Sequence, residues 1–229
     1  MDAAYPGAGD DVKEFPFDEP ELAYHDWRET YPQLGAIRDA RDALLAEMRS
    51  VQARSWFEWP QAELWKKPGQ SWDVLPLIGF GRRMRDNLAL FPALARKLAE
   101  LPGLRTAIFS RVGPRTSIEP HRGPFALSSN ILRCHFGVSA PQPSGTWVRG
   151  EFRQQEVGEW IVFDDLCRHS GVNEHPTEPK IVLLLDLQRP ASARRASWPV
   201  FPFPTGMPPG WEPVLDHVGK VELYDPESM

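Results

Sequence analysis

The sequence predicts an α+β fold with a mainly β core of the jelly-roll type, preceded by helices. Two observations indicate this. Apolar residues recur at helical spacing only in the N-terminal part, where charged residues lie between them. From about residue 105 onward the pattern changes to short runs rich in Val, Ile, Phe and Trp, separated by Gly, Pro, Asn and Ser. Several such runs close together favour an antiparallel sandwich or small barrel.

Composition limits the possible classes of protein. The chain has 229 residues, 41% hydrophobic and 25% charged, which is typical of one globular domain rather than a disordered chain. A net charge of −5 argues against a nucleic-acid partner, and no apolar run approaches the roughly 20 residues that span a bilayer. The first fifteen residues lack the apolar core of a signal peptide, and the only cysteines are Cys134 and Cys167. We therefore expect a cytoplasmic protein with no membrane partner; its oligomeric state is left open.

The N-terminal part is expected to be helical over residues 21–104, after a flexible acidic arm at residues 1–20. An amphipathic helix is predicted from Pro32 to Val51, and the run NLALFPALARKLAELPG predicts a second helix that ends at Pro102-Gly103. Between them, a Trp-rich stretch leads into DVLPLIGFG, which reads as a short apolar strand ended by glycine.

The β core is predicted over residues 105–190. Its strands are expected at TAIFSRV, NILRCHFGV, GTWVRGEF, GEWIVFDD and KIVLLLDLQ. Residues 191–229 contain too much proline for central strands, but their Trp and Phe residues predict an arm that packs on the body. The expectation is one domain over residues 1–229.

The strand NILRCHFGV carries two basic side chains on one face. Because side chains alternate along a strand, Arg133 and His135 point one way and Cys134 the other. Such a pair is costly in a core unless it meets an anionic group, so this face is predicted to line a cavity. The alternation also argues against a zinc site at the adjacent Cys134 and His135.

Two further histidines, His121 and His169, each lie at the edge of a predicted strand. In a jelly roll such edges meet at the mouth of the barrel, where ligands enter. A pair of neutral imidazoles suits Fe, Zn or Cu. From the spacing alone, two surface loop histidines remain an equal alternative.

Four ordered motifs decide between these readings: FSRVGPRTSIEPHRGP, LRCHFGV, GEWIVFDDLCRHSG and KIVLLLDLQRP. With the Gly-Arg-Arg motif near Ile78, they make the chain from Ile78 to Pro190 resemble the aspartyl/asparaginyl β-hydroxylase family. The resemblance implies a double-stranded β-helix (cupin-like) core and an oxygenase that uses Fe(II), 2-oxoglutarate and O2.

The resemblance also implies the metal ligands, His121 and His169. Many non-haem iron oxygenases carry a carboxylate two residues after the first histidine. Here that position is Gly123, as it is in the resembling family, where water takes the vacant place. Asp165 would then form a hydrogen bond with a metal-bound water.

For the cosubstrate, the resemblance implies that Ser110 and a cation bind the far carboxylate of 2-oxoglutarate. The cation is arginine in the family's animal enzymes, and Lys180 stands at that position. Lysine supplies the charge without the bidentate fork of arginine. Arg133 and His135 match the family's Arg-x-His and would contact the near carboxylate or the substrate.

The expected function is hydroxylation of an amino acid or amino-acid-derived small molecule, with succinate and CO2 as coproducts. Arg82, Arg83 and Arg133 are the candidates for binding an acidic substrate. The alternatives are hydroxylation of an Asp, Asn or other residue in a peptide or protein, halogenation at the site left open by Gly123, and a non-catalytic cupin-like binding protein.

Overall fold

The computed structural model of the chain describes residues 20–51, 55–195, 197–198 and 211–224. The predicted acidic arm lies outside the described residues except for Pro20, as does much of the proline-rich C-terminal segment. No helix in the described part of the chain is long and apolar enough to cross a membrane.

The described helices are short. They are α1 (Trp27–Thr30), α2 (Gly35–Asp39), α3 (Arg41–Arg49), α4 (Arg85–Leu88), α5 (Pro92–Ala99), α6 (Phe125–Ser128) and α7 (Glu212–His217), with 3-10 turns at Pro32–Leu34, Ala62–Leu64 and Ala191–Ala193. The strands are β1 (Tyr24–His25), β2 (Phe57–Glu58), β3 (Trp72–Gly79), β4 (Arg82–Met84), β5 (Leu104–Val112), β6 (Thr116–Ser117), β7 (Ile131–Ser139), β8 (Ser144–Val148), β9 (Glu151–Gln154), β10 (Trp160–Phe163), β11 (His169–Asn173), β12 (Lys180–Gln188) and β13 (Val221–Leu223).

These strands form two antiparallel sheets. The major sheet has the order β1-β10-β7-β12-β5-β3-β4-β13, with β2 paired to β3, and the minor sheet has the order β6-β11-β8-β9. Sequence neighbours are divided between the sheets, since β7, β10 and β12 belong to one and β8, β9 and β11 to the other. This confirms the predicted mainly β fold with a cupin-like double-stranded β-helix.

The N-terminal helices cover one face of the major sheet. Side chains of β3, β5, β7 and β12 pack there against the helical segment, including Leu34, Ile37, Leu94, Phe109 and Leu183. Because side chains alternate along each strand, the remaining side chains of these strands point to the opposite face of the sheet. The paired residues Arg133 and Asp186 lie on that second face, which carries the polar residues discussed below.

Both predicted helices are interrupted. The first is a 3-10 turn followed by α2 and α3, which break at Ala40, where the backbone leaves the helical region (φ −88°, ψ 10°). The second divides into α4 and α5, because Pro92 is placed in the first turn of α5, where a missing N–H is tolerated. The apolar spacing was correct, since Ile37 and Leu44 are buried.

Two strand predictions also change. The run GTWVRGEF is a hairpin of β8 and β9, because Arg149 and Gly150 both adopt positive φ and reverse the chain. The segment HSGVN, not predicted as a strand, forms β11. The apolar run DVLPLIGFG is a strand as predicted, and as β3 it pairs with β5.

The described part of the C-terminal segment packs on the body. Trp198 and Trp211 are buried, and β13 pairs with β4 at the end of the major sheet.

Candidate functional site

His121 and His169 are joined through their backbones. The N–H of each residue donates to the carbonyl of the other, with both N···O distances 2.9 Å. The ring centroids are 4.4 Å apart. Two imidazoles that are distant in sequence are thus held side by side by strand-like pairing.

The hydrogen bonds of the rings define their tautomer. Nδ1 of His121 lies 2.8 Å from the Glu119 carbonyl, and Nδ1 of His169 lies 2.8 Å from the Cys167 carbonyl. A carbonyl only accepts, so each Nδ1 carries the proton and each Nε2 keeps its lone pair. Burial lowers the pKa of His169 to about 3 and also lowers that of His121, so both rings are neutral. This is the donor set that a divalent transition metal requires.

The space beside Gly123 is filled by a carboxylate from another part of the chain. A Cβ at Gly123 would lie 1.8 Å from Oδ2 of Asp165 and 2.0 Å from Oγ of Ser128. Ser128 donates to that carboxylate at 2.5 Å. Position 123 therefore needs glycine because Asp165, four residues before His169, occupies the volume that a side chain there would take.

Asp165 is fully buried and ionised. Burial alone would raise its pKa, but the guanidinium of Arg133 and the ring of His169 help to lower it to about 2. Nη1 of Arg133 lies 2.5 Å from Oδ1 of Asp165, and Nε2 of His169 lies 3.4 Å from the same oxygen. Among the described residues no three His, Cys, Asp or Glu side chains are grouped so that they could hold a metal ion.

Arg133 is bound by a second aspartate, Asp186, which sequence reasoning missed. Nε and Nη2 of Arg133 lie 2.9 and 3.2 Å from the two carboxylate oxygens of Asp186. The two residues are direct partners in the β7–β12 pairing. A signal was present in KIVLLLDLQ, where Asp186 is the only acid within an apolar strand and lies on the same face as Lys180.

Lys180 is a buried cation. It is 3% exposed, its Nζ donates to the Gly145 carbonyl at 2.8 Å, and within the described ranges it forms no ion pair. Burial lowers the pKa of Lys180 to about 7. Ser110 lies on the same sheet face, one strand away. Its Oγ accepts from Nε1 of Trp72 at 2.8 Å, which leaves the hydroxyl proton available for another acceptor.

His135 lies on the same sheet face through its pairing with Leu184. Both ring nitrogens are buried, and neither has a hydrogen-bond partner in the part of the chain that the structure describes. Burial, helped by the nearby Lys180 and Arg133, lowers its pKa well below the ordinary value. A buried imidazole with an unused N–H is the kind of group that a ligand completes.

Of the two predicted substrate arginines, Arg82 and Arg83, the structure turns Arg83 away from the histidine pair. Nη1 of Arg82 donates to the Phe80 carbonyl at 2.8 Å. Arg83 pairs with Ile78, which belongs to the helix-covered face, and its guanidinium lies 4.7 Å from the Tyr224 ring centroid. Arg83 therefore points away from the face that carries the site.

The segment that presents Asp165 is anchored by its neighbour Asp164. Both oxygens of Asp164 accept from Arg189, and Oδ1 also accepts from the N–H of Leu166 at 3.0 Å. Arg189 in turn donates to the Ser128 carbonyl at 2.9 Å. Asp164 thus fixes the backbone of the segment that carries Asp165.

Comparison with known proteins gives matches of three kinds. The family model described as aspartyl/asparaginyl β-hydroxylase matches residues 36–190. The ornithine lipid ester-linked acyl 2-hydroxylase of Rhizobium tropici is 30% identical over 132 residues, covering 56% of this chain and 46% of that relative. The chain therefore matches less than half of the relative's length.

Two of the solved structures that match the chain are oxygenases or hydroxylases by their descriptions. An oxidoreductase of the 2OG-Fe(II) oxygenase family from Burkholderia pseudomallei has 16% identity and a TM-score of 0.47, covering 78% of this chain and 97% of that one. A prolyl-4-hydroxylase from Pseudomonas putida has 16% identity and a TM-score of 0.41, covering 67% and 88%.

Proposed function

Since the chain belongs to the aspartyl/asparaginyl β-hydroxylase family, we propose that this oxidoreductase is an Fe(II)- and 2-oxoglutarate-dependent hydroxylase of an amino acid or an amino-acid-derived molecule. One observation carries the proposal. The histidines His121 and His169 are paired through their backbones, and both rings keep an Nε2 lone pair for a metal.

The two Nε2 atoms would hold Fe(II), and Asp165 would accept a hydrogen bond from a water bound to it. Iron, when bound with 2-oxoglutarate, supplies the activation of O2 that side chains cannot supply. The chain itself keeps both imidazoles neutral. It also fixes the carboxylate of Asp165 beside Gly123, which provides no metal ligand.

We assign cosubstrate binding to buried polar groups whose hydrogen-bonding capacity is not fully used within the described part of the chain. The ammonium of Lys180 and the hydroxyl of Ser110 would bind the far carboxylate of 2-oxoglutarate, because they share a sheet face. The unpartnered ring of His135 would donate to the near carboxylate. Arg133 is already engaged by two aspartates, so its charge is largely neutralised before any ligand binds.

Charge balance supports joint binding of the metal and the cosubstrate. With Asp165 and Asp186 ionised and Arg133 and Lys180 protonated, as expected below about pH 7, the charges of these four side chains sum to zero. A divalent cation and a dianion entering together leave that sum unchanged, whereas either one alone would bury two uncompensated charges.

Hydroxylation is favoured over halogenation by the same geometry. A halide beside Gly123 would lie next to the ionised carboxylate of Asp165, and like charges at such short distance repel. The Rhizobium tropici relative supports a second substrate candidate, the ester-linked acyl chain of an ornithine lipid. A residue within a peptide remains the third.

The test is a two-stage assay on the purified chain. Under anaerobic conditions, Fe(II) and 2-oxoglutarate are expected to give the charge-transfer absorbance of the chelate, and His121→Ala should not. Aerobic incubation with free amino acids, ornithine lipid dispersed in detergent, or Asp- and Asn-containing peptides then identifies the substrate by succinate formation and a product heavier by one oxygen. Failure to form the chelate would refute the proposed function.

A further inference from the structure

The structure contains two buried arginine–aspartate pairs of similar geometry. Arg133 is held by Asp186, and Arg189 is held by Asp164. Asp186 and Asp164 are 2% and 1% exposed, so both pairs are shielded from solvent. They differ in one respect: Arg133 also reaches Asp165, the carboxylate beside the histidine pair.

Arg133 makes two hydrogen bonds to Asp186 and an ion pair with Asp165. Asp186 engages Nε and Nη2, and because the guanidinium is planar and rigid, fixing two nitrogens fixes the third. That third nitrogen, Nη1, contacts Oδ1 of Asp165 at 2.5 Å. Asp186 is held in its turn by the β7–β12 pairing, so the orientation is set by the sheet.

Stability alone does not account for this arrangement. Asp186 and Asp165 share one guanidinium, so these three side chains carry one negative charge in excess, and Lys180, which supplies the balancing charge, makes no ion pair with either carboxylate among the described residues. Buried ion pairs are often no more stabilising than apolar residues of the same volume, and an extra buried charge adds a desolvation cost. The arrangement does serve to hold Asp165. Among the described salt bridges, Arg133 is the only cation that contacts Asp165, and the other group near its carboxylate is the neutral ring of His169.

We propose that Asp186 is a positioning residue that acts on the metal centre through Arg133 and Asp165. Holding Arg133 keeps Asp165 in the volume beside Gly123, from which it would fix a metal-bound water. The inference rests on the proposed function for the presence of the metal. Asp186 itself touches neither histidine.

The test measures metal binding with Co(II), whose visible spectrum reports on the ligand environment. Asp186→Asn should weaken Co(II) binding roughly tenfold and shift the spectrum, since substitution of outer partners of a metal site typically costs about 10- to 100-fold in metal affinity. Asp165→Asn should weaken it by at least as much. The double variant should bind no more weakly than Asp165→Asn alone, because Asp186 has no route to the metal except through Asp165.

The control is Asp73→Asn, which removes the carboxylate that pairs with Arg111 between β3 and β5, away from the histidine pair. It should lower thermal stability without changing the Co(II) spectrum. Arg133→Lys keeps the charge but loses the fork, and it should reproduce the effect of Asp186→Asn.

Independent, additive losses from Asp165→Asn and Asp186→Asn would overturn the inference, as would unchanged Co(II) binding in both Asp186→Asn and Arg133→Lys. An equal spectral change in Asp73→Asn would also overturn it. Absence of Co(II) binding to the unaltered protein would instead refute the proposed function, and the inference with it.

Discussion

Replacing Lys180 with methionine is expected to stabilise the protein in the absence of 2-oxoglutarate. The side chain is buried without an ion pair among the described residues, and its pKa falls from 10.5 to about 7. At roughly 1.36 kcal/mol per pH unit, this difference corresponds to about 5 kcal/mol of unfolding free energy. That figure is an upper bound, because the surroundings relax around the new side chain.

The size of the gain should depend on pH. At about pH 6 Lys180 is protonated in both the folded and unfolded chains, so the full cost of burying the charge applies. Between pH 7 and 10.5 the unfolded chain binds the proton and the folded chain does not, so stability rises with pH. At about pH 9 only roughly 2 kcal/mol of the cost remains. The advantage of Lys180→Met should therefore shrink by about 3 kcal/mol between these two pH values.

Urea denaturation at about pH 6 and pH 9 measures this difference. Lys66→Met, at an exposed lysine, is the control and should change stability by no more than about 0.5 kcal/mol at either pH. Fe(II) with 2-oxoglutarate should stabilise the unaltered protein more than Lys180→Met, since the variant lacks the cation for the far carboxylate. An advantage of Lys180→Met that is the same at both pH values would refute the reasoning.

Three further outcomes follow from the site. His121→Ala or His169→Ala should abolish metal binding, measured by calorimetry, yet leave the thermal unfolding transition cooperative, because the pairing between these residues is made by backbone atoms. Gly123→Ala should displace the carboxylate of Asp165 and weaken Co(II) binding, because a Cβ there would lie 1.8 Å from Oδ2. An unaltered Co(II) affinity and spectrum in this variant would contradict that clash. Asp164→Ala should cost roughly 3–5 kcal/mol in urea denaturation, because it leaves Arg189 buried without its carboxylate; a loss below about 1 kcal/mol would show that solvent reaches the guanidinium.

The class of fold was predictable because it depends on local patterns, whereas the importance of the two histidines was indicated by the ordered motifs around them and not by their spacing alone. Strand alternation and turn residues indicate a β core, and the histidines stand at strand edges within ordered motifs. The β11 segment was missed because its residues, among them Gly171 and Asn173, have low strand propensity; it forms through pairing with β8 and β6.

The remainder of the site depends on register between strands that are far apart in sequence. Arg133 and Asp186 become partners only through the β7–β12 pairing, and Arg83 turns to the helix-covered face only through the β3–β4 pairing. Sequence gives the face of each residue within its own strand, but not which residue of another strand lies opposite. For that reason an arginine assigned to the cosubstrate proves to be held by two aspartates.

The backbone bridge between His121 and His169 has a consequence for how the protein would acquire the proposed metal. In small zinc modules the metal creates the fold, so an empty chain is unfolded and loading is coupled to folding. Here the peptide groups set the spacing of the two rings, and the chain can complete its fold with the imidazoles already side by side. Metal binding then follows folding as a separate step, so folding does not select which metal is bound. Affinity for an imidazole pair follows the general order that places Fe(II) below Ni(II), Cu(II) and Zn(II). Any metal bound after purification would therefore reflect the supply in the cell that made the protein, and activity should depend on reconstitution with Fe(II).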